Sequence, residues 1–194
     1  MARDSALSPP AAALAPPAIL ATLLLIAGEV MLFAGLLFAF WVLRLAAPVW
    51  PPPLQPRLPI AVTALNTLAL LASSGALAAA LRARQRRHHA AFVRLLGLTA
   101  ALGALFVAGQ GWEWTRLIGF GLTVMSGTYG ALFYVLVGTH ALHVLAALAW
   151  LGVTLALARR GRWSDEVAPL HACAIYWQFV VMLWPVLFVC LYLP

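Results

Sequence analysis

His140 and His143 stand three positions apart in Gly138-Thr139-His140-Ala141-Leu142-His143-Val144, inside a stretch that is otherwise almost wholly apolar. That spacing puts both imidazoles on one face of a helix. Such a pair can supply two ligands to a metal ion, but a site needs further donors from other helices. Glu29 and His171 are the candidates. His171 opens the last apolar segment, whereas His140 falls near mid-membrane, so the two are not expected to meet. Two histidines on one helix cannot take opposite faces of one haem. Structural hydrogen bonding, a proton-linked role and metal or haem binding are thus the chemistries to weigh, and neither a metal set nor a catalytic group is expected.

Polar groups in hydrocarbon are costly and turn toward partners. Glu29, in Gly28-Glu29-Val30-Met31-Leu32-Phe33-Ala34-Gly35, is the one carboxylate expected at a helix centre. Pairing with His140 or His143 would satisfy both costly groups, whether for packing or as a proton relay. Gln110, Glu113 and Arg116 are expected near the outer surface. There Glu113 and Arg116, three residues apart, would form a local ion pair.

The elements that must position these groups follow from composition. The chain of 194 residues is 64% hydrophobic and 9% charged, with a mean hydropathy of +0.98. About 25% charged is typical of globular proteins, so this is an integral membrane protein. A formal charge of +7 raises the question of nucleic acid. The arginines, however, cluster between apolar segments, so no nucleic-acid partner is expected. Residues 1–17 read as a Pro- and Ala-rich cytoplasmic tail, with one membrane domain over 18–194. Five spanning helices are expected at about 18–44, 58–81, 90–108, 128–158 and 167–193. The first is too long for a cleavable signal.

Arg82, Arg84, Arg86, Arg87, Arg159, Arg160 and Arg162 fall in the 2–3 and 4–5 connections. Arg44, Arg57 and Arg116 fall on the other side. The positive-inside rule puts the N-terminus in the cytoplasm and the C-terminus outside. The first four of these arginines also suit anionic lipid headgroups. Trp50 in a Pro-rich loop, and Trp112 and Trp114 flanking Glu113, suit membrane interfaces. Hydroxyl and small residues along the second segment mark a packing helix. Cys173 and Cys190 lie in one helix, roughly five turns apart, and cannot pair with each other within the chain. No phosphate loop, nucleophile elbow or metalloprotease pattern occurs.

The order of these features resembles the subunit III family of haem-copper terminal oxidases. The resemblance rests on the Glu29 segment, Trp50-Pro51-Pro52, Asn66-Thr67, Ser73-Ser74, Gln110 with Glu113-Trp114, Ser126-Gly127-Thr128-Tyr129-Gly130, the His140–His143 segment and Tyr176-Trp177-Gln178-Phe179. It spans residues 20–194 and suits the short five-helix form. It implies a non-catalytic subunit that carries no haem or copper, packs against catalytic subunit I, with subunit II, and supports proton uptake and turnover stability. It also implies phospholipid held in a cleft between the first two helices and the rest. By that analogy Glu29 and His143 are the intramembrane polar residues, neither of them a redox centre; together with His140 they make up the expected proton or packing network. Trp50, Asn66, Trp112, Glu113, Trp114, Tyr176, Trp177 and Gln178 would serve lipid or interface contact. Gln178 and Val181 stand where the family usually carries His and Asp, which puts a hydrogen-bond network at segment five in question. The host would be a cytochrome c or a quinol oxidase; the alternatives are a nitric oxide reductase host, or an independent small transporter using Glu29, His140 and His143.

Overall fold

A computed structural model describes residues 16–53, 55–56, 58–161 and 168–193. Most of the N-terminal tail, together with Arg57 and Arg162, lies outside the described residues. Five helices form in order: α1 (Pro17–Ala46), α2 (Ile60–Gln85), α3 (His89–Gly119), α4 (Thr128–Arg159) and α5 (Ala168–Tyr192). Each is long and apolar enough to cross a membrane, with mean hydropathies from 1.7 to 2.4 over the richest window. The protein is an all-helical, multi-pass membrane protein. Helical backbone satisfies its own polar groups, which hydrocarbon cannot do.

The chain sets the helix ends locally. Proline precedes the first residue of both α1 and α2, where its missing N–H costs no intrahelical bond. Gly121, Gly127 and Gly161 take positive φ in the α3–α4 connection and just beyond α4, a conformation that costs glycine little. α4 begins at Thr128, as the sequence suggests, and the two outer helices agree within two residues at each end.

The third helix does not. It was expected to stop near residue 108 but continues to Gly119, so Gly109-Gln110-Gly111-Trp112-Glu113-Trp114 is helical. Glycine in a helix interior costs roughly 0.5–1 kcal/mol relative to alanine, whereas an unsatisfied backbone group in lipid costs several. The second cost outweighs the first, and the helix stays intact. The second helix likewise runs on past Leu81 through Arg82 and Arg84 to Gln85.

α5 is the central element: 44% of its apolar window is buried, against 17% for α1. It packs on α4, α1 and α2, while α2 and α3 form the most extensive pair. Thr67, Ser73 and Ser74 hold α2 to α5. The Trp184 indole donates to Thr67 Oγ1 at 2.8 Å and the Trp177 indole to Ser73 Oγ at 3.2 Å. Ser74 Oγ donates to Gln178 Oε1, and Gln178 Nε2 donates back to the Ser74 carbonyl at 3.3 Å. Gln178 thus keeps a network at the position where His was expected, and Val181 is fully buried.

Among the described residues α1 and α2 do not pack on one another. α1 seats on α5 and α4, and α2 on α3 and α5.

Candidate functional site

Three polar groups occupy the interior. Glu29 projects from α1 and is 7% exposed; its Oε1 accepts the Tyr176 hydroxyl of α5 at 2.9 Å. His143 Nε2 of α4 lies 3.6 Å from the same oxygen. His143 Nδ1 sits 2.6 Å from the Thr139 carbonyl. A carbonyl only accepts, so Nδ1 carries the hydrogen and Nε2 is the nitrogen that faces Glu29. At 3.6 Å this is contact at ion-pair range, longer than a normal hydrogen bond. Phe33, one turn beyond Glu29, covers the pair with its ring centroid 5.4 Å from that of His143.

Glu113 forms the second group, near the opposite end of α3. It is 3% exposed. Its Oε2 accepts Thr63 Oγ1 of α2 at 2.6 Å, and its Oε1 accepts the Tyr192 hydroxyl of α5 at 2.7 Å. Gln110 Nε2, one turn earlier, donates to the Tyr192 oxygen at 3.3 Å. The expected interfacial ion pair with Arg116 is thus replaced by a buried hydrogen-bonded cluster. The helix turns Glu113 inward, while Arg116 is exposed and lies over Phe120. Tyr192 also lines a pocket of about 540 Å³ with Trp50, Pro51, Pro52, Gln55 and Tyr129, at the end of the bundle where α1 joins α2.

Between the two carboxylates stands His140. It is 1% exposed, stacked on Trp184 at 5.1 Å between centroids, and edged by Phe33 and Phe106. The two histidines therefore share a helix face but not an environment. His143 meets Glu29, whereas neither nitrogen of His140 has a hydrogen-bond partner among the described residues. No three His, Cys, Asp or Glu side chains gather into a metal-holding group among those residues.

The remaining sequence candidates divide by position. Trp112 is 66% exposed, on the outward face of α3. Trp50 turns inward between Phe40 and Tyr129. Tyr176 and Trp177 are buried and face Glu29 and Ser73, so they join helices inside the bundle and do not face outward. Asn66 lies across Gly109 and donates to the Phe106 carbonyl at 2.9 Å. Trp114 packs on Tyr134. Arg82 bonds the Ala78 carbonyl, Arg84 lies over Phe92, and Arg86 and Arg87 are exposed.

Thr63, Tyr192 and the inward turn of Glu113 are not among the sequence-based expectations, although a signal for them exists. The buried positions of α3, from Phe92 through Leu96, Thr99, Gly103, Phe106, Gln110, Glu113 and Leu117, keep alternating steps of four and three. The stripe passes through the Gly-Trp stretch without a break, which marks one continuous helix face.

Comparison with known proteins agrees with this architecture. The family described as Cytochrome c oxidase subunit III matches residues 16–194. The chain is 34% identical over 167 residues to cytochrome c oxidase subunit 3 of Synechocystis sp., a match covering 85% of this chain and 70% of that one. It is also 34% identical over 167 residues to the probable cytochrome c oxidase subunit 3 of Nocardia farcinica, covering 84% and 81%. The same identity and length hold for the subunit 3 of Thermostichus vulcanus, covering 85% and 81%. With five spanning helices and a match over nearly its whole length, this chain belongs to the cytochrome c oxidase subunit III family.

Proposed function

We propose that the protein is the accessory subunit III of a bacterial cytochrome c oxidase in the inner membrane, oriented with its N-terminus in the cytoplasm. Oxygen reduction takes place in partner chains, subunits I and II, which hold the haem and copper. The observation that carries this reading is the full-length similarity to proteins named as cytochrome c oxidase subunit 3. Those names favour a cytochrome c oxidase over a quinol oxidase or a nitric oxide reductase as host. The arginines at the α2–α3 turn and the end of α4 support the orientation and suit anionic headgroups.

Within the complex, the subunit contributes packing, phospholipid binding and support of proton uptake. Long apolar side chains exposed along α1, such as Leu24, Met31 and Phe38, support lipid or subunit contact along that helix. The Glu29–His143 pair supports a proton-linked role, because a carboxylate and an imidazole nitrogen face each other at 3.6 Å in the bundle interior. A small independent transporter has less support, since the polar groups sit in closed clusters walled by Phe33, Phe106 and Trp184 instead of lining one open path.

Removing this chain from the purified oxidase and following oxygen consumption over many turnovers tests the reading. The depleted enzyme is expected to keep its haem spectrum and initial rate but to inactivate sooner, with activity sustained again on adding the chain back. A haem spectrum lost from the catalytic chain and retained by this one would overturn it.

A further inference from the structure

On α2, buried hydroxyls that bond their own backbone are met by a donor from another helix. Thr67 Oγ1 donates to the Thr63 carbonyl one turn back, and Ser73 Oγ donates to the Leu70 carbonyl. A hydroxyl has one hydrogen, so once that is given to the backbone only a donor can bond the oxygen from across the interface. Trp184 and Trp177 of α5 meet this requirement, because an indole N–H donates and cannot accept. Thr63 repeats the pattern. Its Oγ1 lies 3.0 Å from the Pro59 carbonyl, one turn back, and 2.6 Å from Glu113 Oε2 of α3. A carbonyl cannot donate, so with the Thr63 hydrogen on Pro59 the hydrogen between Thr63 and Glu113 comes from Glu113.

The other side of the carboxyl agrees. Gln110 Nε2 donates to the Tyr192 oxygen, and the Tyr192 hydroxyl donates to Glu113 Oε1. Oε1 is therefore the acceptor and Oε2 the donor, which is the pattern of a carboxylic acid. The surroundings favour the same form. Glu113 is 3% exposed in a spanning helix, the hydroxyls that bond it are uncharged, and Arg116 is exposed over Phe120. A carboxylate without a cationic partner is costly in such a place. We propose that Glu113 is a resident proton site, a neutral carboxylic acid in the folded protein whose Oε2 proton is donated to Thr63. The hydrogens then run one way, from Gln110 to Tyr192, to Glu113, to Thr63 and to the Pro59 carbonyl, each given once. α2, α3 and α5 are thereby joined without a buried charge. Glu29 differs, because an imidazole nitrogen stands at ion-pair range from it. The assignment holds whatever complex hosts the chain.

Infrared difference spectroscopy of the protein in the assembly with which it purifies tests the proposal. At neutral pH, the native spectrum minus that of Glu113→Gln is expected to show the carbonyl stretch of a protonated carboxylic acid, moved to lower frequency in heavy water. Loss of carboxylate stretches in its place would overturn the proposal. Thermal melting gives a second readout. An amide offers one acceptor and one donor, as the acid does, so Glu113→Gln is expected to keep the contacts to Tyr192 and Thr63 and to leave the melting midpoint unmoved. A carboxylate that accepts from both hydroxyls is poorly replaced by an amide, whose NH2 would face one of those donors. A midpoint lowered by several degrees, or a Glu113→Gln chain that fails to assemble, would therefore contradict the neutral acid.

Discussion

Glu29 and His143 are joined by one oxygen: Glu29 Oε1 faces the His143 ring and accepts the Tyr176 hydroxyl. Residues that share a partner show coupling energies of about 0.5–3 kcal/mol in double-mutant cycles. Glu29→Gln and His143→Ala are therefore expected to destabilise less together than their separate effects predict. Strict additivity in thermal melts of the intact complex would contradict the pairing. At the other cluster, Tyr192→Phe takes a donor from Glu113 Oε1 and an acceptor from Gln110 Nε2 at once, while Thr63 keeps both Glu113 and the Pro59 carbonyl. Losing a buried partner costs about 1–3 kcal/mol for each group left unmet, so this variant is expected to lower the melting midpoint by several degrees, and an unchanged midpoint would contradict the cluster. The helical face shared by His140 and His143 is legible from their spacing, because i and i+3 decide it. Their division between Glu29 and the Trp184 stack is not, because it depends on where Phe33 of another helix falls. Glu113 differs from its expected interfacial place because an adjacent pair of tryptophans resembles an interface signal, and only the continuing four-and-three stripe separates the two cases.

α2, α3 and α5 meet through small residues and side-chain bonds. A methyl group on Gly103 would collide with the Trp177 ring, whereas one on Gly75 would meet nothing within 4 Å. Gly103→Ala is thus expected to displace Trp177, break its bond to Ser73 and cost about 1–3 kcal/mol, the usual range for overpacking. Gly75→Ala should be neutral or slightly stabilising, by up to about 1 kcal/mol. Thermal unfolding in mild detergent compares them, and an equal response would mean that the α3–α5 approach is not tight. The ladder of Thr67, Ser73 and Ser74 is expected to contribute about 0.6 kcal/mol per bond, the average for interhelical bonds in membranes. The triple alanine variant should loosen α2 from α5 without unfolding either helix. Helix number and most boundaries can be read from hydropathy, since each apolar run has the length the bilayer requires. The grouping of helices cannot. That α2 lies against α3 rests on contacts such as Gly109 admitting Asn66, and that α3 approaches α5 rests on Gly103 admitting Trp177; no single segment reveals either.

Across the molecule as a whole, similarity shows the family, and the distribution of arginines supports the proposed orientation. Arg82, Arg84, Arg86, Arg87, Arg159 and Arg160 lie toward one end of the bundle, and Arg44 and Arg116 toward the other. An alkaline phosphatase fused at the C-terminus is therefore expected to be active in the periplasm, and an inactive fusion would reverse the orientation. Membership of the subunit III family is legible because its motifs recur in order along the chain, while the host complex is a property of partners. Whether the chain works inside an oxidase is decided by affinity purification of the tagged chain from its native membrane in mild detergent, with a reduced-minus-oxidised spectrum and identification of the chains that follow it. A large haem- and copper-bearing catalytic chain with cytochrome c oxidase activity is expected, absent when the tag is carried by an unrelated membrane protein. A stable, colourless chain recovered without a haem-bearing partner would contradict the assignment as an oxidase subunit.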